Sequence, residues 1–561
     1  MSSLLPTDGS ILVHEAADYH LSHHPNDAMY IFSPDDKPGS QSVITRLEFA
    51  RAIDRMAGFL SPSGAGPERE VVAIIAQADV VVYHAVVLGL MKAGCIPFLI
   101  SPTNSPAGLL NLLERSNSHK LLVTGDCRDT LGHGLLREIA EKSPDLAMKL
   151  VDFPSLSDAF PFLARETQRD AFEPYSASTS SSRPSKFDVA LYLHSSGSTG
   201  LPKAIPIPHA TLLNWAAFSQ IHEVRTSMVA AFTMPPFGVA GVGRQILLPL
   251  FAGIPVFVFP PTQSASSLSK ALTAENVMEH MRRNRLPKLT VFPAFLHTWA
   301  ADKDAVAFLR SLDYIAYGGG PLLPSVGKAL VEQGVNLRMS YGSTEIGLIT
   351  MYEGERGRED WEYLQLNPLV QMRLSARDDG AFEADVLSTD QHHLPIIDTP
   401  DKMGYNLPDL FEKHPAKEGL WRILGRKDDV FVDATGANVV PGPIEAILCS
   451  NPCVKNAIMF GQHRTQTGIL IQLTEDAAST DDEAALRDKV WPSIQEGNEI
   501  IQRYAGISKS MILFTALDKP LPLNAKGLVR RKDALKLYER EIEAIYLKAE
   551  VNEAICEIAS L

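Results

Sequence analysis

Within residues 71–124, short apolar runs (VVAIIA, CIPFLIS, KLLVTG) alternate with longer stretches of helical texture (DVVVYHAVVLGLMKAG, PAGLLNLLERS). Strands separated by helices of this length cannot pair as hairpins, so the chain is committed to parallel sheets covered by helices. A second alternation follows: VALYL, a helix over 210–220, IPVFVF, a helix over 273–284, LTVFP, a helix over 295–300, YIAYGG, a helix over 324–333 and LRMSYG. Residues 155–185, with SASTSSSRPS, read as a surface connection, 370–387 as hairpin-like, and 408–419 as a loop. After GRKDD (425–429) the texture becomes that of a compact piece with strands NAIMFG, GILIQL and MILFT. It closes with a long amphipathic helix on which Leu535, Ile542, Ile545, Tyr546, Val551, Ile555 and Ile558 keep helical spacing.

Composition narrows the function classes. With 52 basic against 66 acidic residues the net charge is −14, which argues against nucleic acid or an anionic membrane surface as partner. The most apolar stretch, 71–100, is interrupted by Asp79, His84 and Lys92, so it belongs to a core rather than a membrane span. Cys95, Cys127, Cys449, Cys453 and Cys556 are scattered, without a CxxC pair or zinc spacing, as suits a reducing compartment. The opening MSSLLPTDGSILVHEAADYH has neither a basic n-region nor an apolar h-region, so a cytoplasmic location is expected.

The segment carrying most chemistry is LYLHSSGSTGLPK (191–203), which follows a short strand. Gly197 and Gly200 let backbone N–H groups turn toward one point, Ser195, Ser196, Ser198 and Thr199 add hydroxyls, and Lys203 adds a positive charge. This is the composition of a phosphate cradle. It is not a P-loop, because Lys203 follows Leu-Pro and Ala204 stands where a magnesium-binding hydroxyl would be. A Ser/Gly-rich loop alone is equally a linker; the order strand, hydroxyl loop, lysine favours the cradle.

SSGSTGLPK resembles the signature of the adenylate-forming superfamily, which includes acyl- and aryl-CoA ligases, luciferases and nonribosomal peptide synthetase adenylation domains. YGSTE (341–345), YGGGP (317–321), Asp409 in PDLFEKHP, GRKDD and Lys526 in PLNAKGLVRRK resemble further motifs of that family in its order. The resemblance implies an α/β adenylating fold: residues 1–426 as a large N-terminal domain of stacked α/β sheets plus a small β-rich subdomain, and residues 427–561 as a smaller, mobile α+β domain. It also implies roles. Ser195, Ser196, Gly197, Ser198, Thr199, Gly200 and Lys203 would hold the β- and γ-phosphates of ATP, Thr344 the α-phosphate, and Glu345 a Mg²⁺ ion. Gly318, Gly319 and Gly320 would lie against adenine and Tyr341 would stack on it, with Ser340, Gly342 and Ser343 beside the nucleotide. Asp409 would accept from the ribose hydroxyls, Arg426 would add ribose or phosphate contact, Asp428 would be the hinge, and Lys526 would bridge substrate and phosphate oxygens. After rotation, residues 433–441 would face a thiol acceptor. Each residue taken singly has a plain reading: a solvated Glu345, a packed Tyr341, a turn at Asp409 or Asp428, a basic face around Lys526.

MPPFGVAGVG (234–243) falls where the family's acid pocket begins, with Gly238 where many relatives carry His, and the aspartate that pairs with an α-ammonium is absent. An aryl or acyl carboxylic acid is therefore expected, in a cavity lined by Phe237, Gly238, Gly241, Phe292, Pro293 and Tyr317, positions that equally suit core packing. Met339 stands where relatives often carry an adenine-contacting Asn; His194, His209 and His297 are expected to be structural. The surrounding texture is similar to fungal NRPS-like carboxylic acid reductases, which implies transfer to a phosphopantetheine thiol on a carrier domain. No carrier-type Gly-Gly-Ser motif and no GxGxxG are present, so the chain is expected to be the adenylation portion and not to bind NADPH. A free-standing CoA ligase and a catalytically silent nucleotide-binding scaffold are the alternatives.

Overall fold

A computed structural model describes residues 4–34, 40–61, 69–143, 146, 148–176, 183–195, 201–222, 229–262, 272–352, 356–434, 438–479, 482–500, 506–523 and 528–559. The chain divides into two compact units: Met1–Gly320 with Gln333–Met372 and Val386–Tyr405, and Pro321–Glu332 with Arg373–Asp385 and Asn406–Leu561.

The first unit contains both α/β layers foreseen from the alternation. One sheet has six strands in the order Lys149–Asp152, Lys120–Val123, Val71–Ile75, Ile96–Leu99, Val189–Ser195 and Lys203–Pro208. The first five run parallel and the last is antiparallel. The other has seven, ordered Leu337–Ser340, Tyr314–Gly318, Lys288–Val291, Val229–Ala230, Val256–Phe257, Ala28–Phe32 and Ser42–Thr45, parallel except for the last pairing. The helix Val80–Lys92 is buried from Val81 to Met91, which explains why its sequence is apolar all round. Asp79 caps it by accepting from Val81 N at 3.0 Å.

The second unit carries the strand Leu420–Arg426 and the greater part of Gly404–Lys413, Phe382–Leu387 and Met372–Ala376, four strands that lie side by side. It also holds the pair Phe431–Val432 and Asn438–Val439, and a three-stranded sheet of Val454–Phe460, Thr467–Leu473 and Ile507–Phe514. Helices Gly442–Cys449, Glu483–Ile500 and Glu539–Ala559 pack on that last sheet, around a core that includes Ile444, Met459, Ile469, Val490 and Met511.

Two expectations are corrected. The stretch 408–419 is not a loop throughout: Gly404–Lys413 is a ten-residue strand with a register shift between Leu410 and Phe411. Asn406, Pro408 and Asp409 are poor strand formers, but Leu407, Leu410 and Phe411 are buried, and pairing on both sides overrides local preference. The closing helix is two helices, Arg531–Leu537 and Glu539–Ala559. They part at Tyr538, whose hydroxyl is held by the Lys519 carbonyl and by Ala516 N at 3.2 Å. Among the described residues no helix is long and apolar enough to cross a membrane.

Glu48 lies inside the first unit, in the first turn of the helix Arg46–Leu60 whose N-cap is Thr45. It accepts from Ala164 N at 2.7 Å, yet burial, reinforced by the neighbouring Glu166, pushes its carboxyl up to about 8. A carboxyl raised in the folded state contributes stability that is present below its unfolded value near 4.5 and lost as pH rises through about 8. Urea unfolding should therefore show the Glu48→Gln variant gaining on the wild type as pH rises from 5 to 8.5. Parallel pH profiles would remove Glu48 as the cause.

Candidate functional site

Four of the segments singled out from sequence leave the carboxyl ends of adjacent parallel strands. MPPFG follows Val229–Ala230, Phe292 and Pro293 follow Lys288–Val291, Gly319 and Gly320 follow Tyr314–Gly318, and Tyr341 to Glu345 follow Leu337–Ser340. In open α/β sheets ligands bind in the crevice beyond such strand ends. Three of the four are in contact there. Gly318 pairs with Ser340, and a Cβ on Gly318 would stand 2.3 Å from the Ser340 carbonyl oxygen, so only glycine permits that approach. The ring edge of Phe292 occupies the place a Cβ on Gly319 would take, at 2.9 Å, whereas a Cβ on Gly320 would meet nothing within 4 Å.

Thr344 and Glu345 sit at the tip of a tight hairpin between Gly342–Ser343 and Gly347–Leu348. Three contacts hold it. Tyr341 N donates to Thr350 Oγ1 at 3.1 Å, Ile349 N to the Tyr341 carbonyl at 3.1 Å, and Ser340 Oγ lies 2.9 Å from the Tyr352 hydroxyl. Thr344 Oγ1 donates to the His194 carbonyl at 3.3 Å, which ties this hairpin to the strand that opens the hydroxyl loop. His194 Nε2 accepts from Ser101 N at 3.0 Å, so its ring is occupied in fixing the loop after Ile96–Leu99. Ser195 and Lys203 face each other in the antiparallel register of Val189–Ser195 and Lys203–Pro208, which puts the exposed Lys203 at the base of the loop. Ser196, Gly197, Ser198, Thr199 and Gly200 lie outside the described residues.

Behind the hairpin stands Trp215, a residue no sequence signal marked. It lies on the helix His209–His222, and its indole nitrogen would be 2.2 Å from a Cβ on Gly347, which has φ +70°. Gly347 is thus required twice, by backbone conformation and by the indole edge.

The expected acid pocket begins with Phe237, partly buried, and Gly238, the N-cap of the short helix Val239–Gly241. That helix continues into a π-helix over Val242–Ala252, a wide-turn form common near functional sites. Gln245 anchors it by donating to the Ala231 and Met234 carbonyls at 2.7 and 2.9 Å. A Cβ on Gly241 would be 2.2 Å from the Pro235 carbonyl oxygen, whereas one on Gly238 would come no closer than 3.7 Å to anything. Pro293 is buried at the start of the helix Pro293–Ala300. Tyr317 is 2% exposed and donates to the Trp361 carbonyl at 2.9 Å; burial pushes its hydroxyl far above the ordinary value. Met339 pairs with Tyr317 across the two strands. Burial pushes His209 down to about 4 and also lowers His297, so both stay neutral at physiological pH.

Asp409, Arg426 and Asp428 belong to the second unit. Asp409 and Arg426 are register partners on neighbouring antiparallel strands. Arg426 Nε donates to Asp428 Oδ1 at 2.9 Å. Burial opposes ionisation of Asp428, but the guanidinium outweighs it and holds the carboxyl below its usual range. Lys526 lies outside the described residues; the bridge between Leu523 and Val529 and the bond from Arg530 N to the Pro522 carbonyl at 2.8 Å close the chain on either side of it.

Replacing Gly347 by Ala should cost about 1–3 kcal/mol from the left-handed backbone alone, with the Trp215 clash in addition. Denaturant unfolding of Gly347→Ala measures it, and a loss below 0.5 kcal/mol would mean the hairpin relaxes away from the indole.

Comparisons with known proteins give the family and the fold. The AMP-binding enzyme family matches residues 18–378, and the AMP-binding enzyme C-terminal domain matches residues 428–550. Over 98% of its length the chain is 37% identical to adenylate-forming reductase Nps11 of Serpula lacrymans var. lacrymans (strain S7.9), covering 50% of that protein. It is 26% identical, over 94% of its length, to the carboxylic acid reductase of Neurospora crassa, again covering 50%. The chain thus spans about half the length of the curated relatives it matches. The solved A domain of carboxylic acid reductase from Segniliparus rugosus, in complex with AMP and a co-purified carboxylic acid, shares the fold: its TM-score is 0.65 at 16% identity, over 96% of this chain and 94% of that one. With both parts matched in order, the chain belongs to the AMP-binding enzyme family.

Proposed function

We propose that this chain joins an aryl or acyl carboxylic acid to ATP, giving acyl-AMP and pyrophosphate, and then passes the acyl group to a phosphopantetheine thiol on a carrier domain. It would be the adenylation part of a carboxylic acid reductase. The observation that carries the reading is the meeting of MPPFG, Phe292, Gly318 to Gly320 and Tyr341 to Glu345 at one set of parallel strand ends, in a member of the AMP-binding enzyme family.

In the first step a carboxylate oxygen attacks the α-phosphorus and pyrophosphate leaves. Two anions must meet, so positioning and charge stabilisation supply most of the catalysis. Ser195 to Gly200 and Lys203 hold the β- and γ-phosphates, and Thr344 contacts the α-phosphate. Glu345, beside Thr344 at the hairpin tip, is a hard oxygen donor of the kind Mg²⁺ takes; it would hold the ion, which would neutralise phosphate charge there. The open space at Gly320 suits a base lying against the backbone of Gly318 to Gly320, with Tyr341 stacked on it and Ser340, Gly342 and Ser343 alongside. Asp409 and Arg426 take the ribose, and Lys526 bridges the reacting oxygens. In the second step the thiol sulfur attacks the acyl carbon, AMP departs and the thiol proton is released. Residues 427–561 rotate about Asp428 between the steps, exchanging Lys526 for residues 433–441. Phe237, Gly238, Gly241, Phe292, Pro293 and Tyr317 shape an uncharged pocket for the body of the acid.

Exchange of labelled pyrophosphate into ATP, screened over aromatic and aliphatic acids, tests the reading; no acid-dependent exchange would end it. Lys526→Ala should lower exchange about 100-fold or more while leaving the melting temperature unchanged. Asp409→Ala should weaken ATP binding about tenfold or more through lost ribose hydrogen bonds, read by calorimetry. Offering CoA and a holo-carrier together to preformed acyl-adenylate separates a carrier-loading enzyme from a CoA ligase.

A further inference from the structure

The short turn Lys427–Asp429 sends its three side chains to three different places. Lys427 Nζ bonds Asn406 Oδ1 on the strand Gly404–Lys413 and lies 3.5 Å from Glu383 Oε2 on the strand Phe382–Leu387. Both partners are held in turn. Asn406 Nδ2 donates to Asp385 Oδ1 at 2.6 Å, Arg373 Nη2 to Asp385 Oδ2 at 2.7 Å, and Arg377 Nη1 to Glu383 Oε1 at 3.0 Å. Asp429 Oδ1 lies 3.1 Å from Arg531 Nε, at the start of the helix Arg531–Leu537. The other nitrogens of Arg531 grip Glu445 and the Met459 carbonyl, the latter at 2.9 Å. Arg531 directly follows Arg530, whose N–H closes the chain around Lys526. Asp428, between these two anchored residues, pairs with Arg426.

The three attachments differ in strength. The side chains of Arg426 and Asp428 are 44% and 43% exposed, and a solvated pair of this kind breaks at little cost. Lys427 and Glu383 are 20% and 38% exposed and Arg531 and Asp429 14% and 35%, so these pairs are less solvated, and Lys427 and Arg531 are held in addition by Asn406 and Glu445. Of the three side chains in this turn, Asp428 makes the most exposed ion pair.

We propose that Lys427 and Asp429 are positioning residues that pin the chain on either side of Asp428. Lys427 pins it to the strands Phe382–Leu387 and Gly404–Lys413, and Asp429 pins it to Arg531, five positions after Lys526 in the chain. The inference rests on reading residues 427–561 as a rotating domain. When the torsion changes at Asp428, the Lys427 network stays with its strands and the Asp429–Arg531 pair travels with the lysine. The aim of Lys526 is then set by an ion pair adjoining the hinge instead of being spread over a flexible linker.

Two variants of the full chain separate the pins. Glu383→Gln keeps Lys427 as a trypsin site but weakens its anchor, so tryptic nicking after Arg426 and Lys427, followed by mass spectrometry, should accelerate about fivefold or more. Asp429→Asn should lower pyrophosphate exchange about tenfold, measured with benzoate or the first acid active in the screen, while capture of the matching preformed acyl-adenylate by pantetheine stays within about twofold. Asp429→Glu should restore exchange. The proposal is overturned by unchanged nicking in Glu383→Gln, or by Asp429→Asn lowering both half-reactions by the same factor. A wild type without acid-dependent exchange would instead overturn the proposed function, and the nicking comparison alone would then judge the pins.

Discussion

Parallel register is the constraint on which the candidate site depends. Four segments separated by up to about a hundred residues are brought together because the strands Val229–Ala230, Lys288–Val291, Tyr314–Gly318 and Leu337–Ser340 are neighbours running the same way, each releasing its loop at the same edge. The pairing of Gly318 with Ser340 is the tightest point: backbone meets backbone where any side chain would intervene. Thr344 then links this edge to the strand Val189–Ser195 of the six-stranded sheet through the His194 carbonyl, adding a hydrogen bond between two layers that share one apolar core.

The second unit solves a different problem. Under the proposed rotation, its residues would have to be firm enough to deliver a charge and loose enough to withdraw it. The pair of Arg531 with Glu445 and the part-buried contacts of Lys427 with Asn406 and Glu383 give firmness locally, while the Arg426–Asp428 pair between them is the more exposed one. In the proposed rotation, anchoring and motion would fall to adjacent residues of a five-residue motif.

Much of this was legible in the sequence, and for physical reasons. Strands and helices alternated with periods that only parallel sheets satisfy, and glycine-rich turns stood where backbones must approach closely, as Gly318 does. What escaped was what depends on tertiary neighbours. Asp409 lies on a strand because Leu407, Leu410 and Phe411 are buried and paired, although Pro408 and Asn406 argue locally for a loop. Trp215 supports Gly347 from 132 positions away, and nothing in PIPHATLLNW distinguishes it from an ordinary core tryptophan. Lys427 occupies the middle of GRKDD, and only the fold supplies Glu383 and Asn406 as its partners.

Gly238 and Gly241, three positions apart, have opposite tolerances. The Pro235 carbonyl bars any side chain at Gly241, while a Cβ on Gly238 would make only ordinary van der Waals contact with Pro235, on the partly buried turn that opens the proposed acid pocket. Mutation therefore has one closed door and one open door on the same short helix. In the proposed pocket, enlarging this one residue would narrow the space for the acid with the scaffold beneath untouched, so a lineage of such chains could diversify its diet while its nucleotide chemistry stayed fixed.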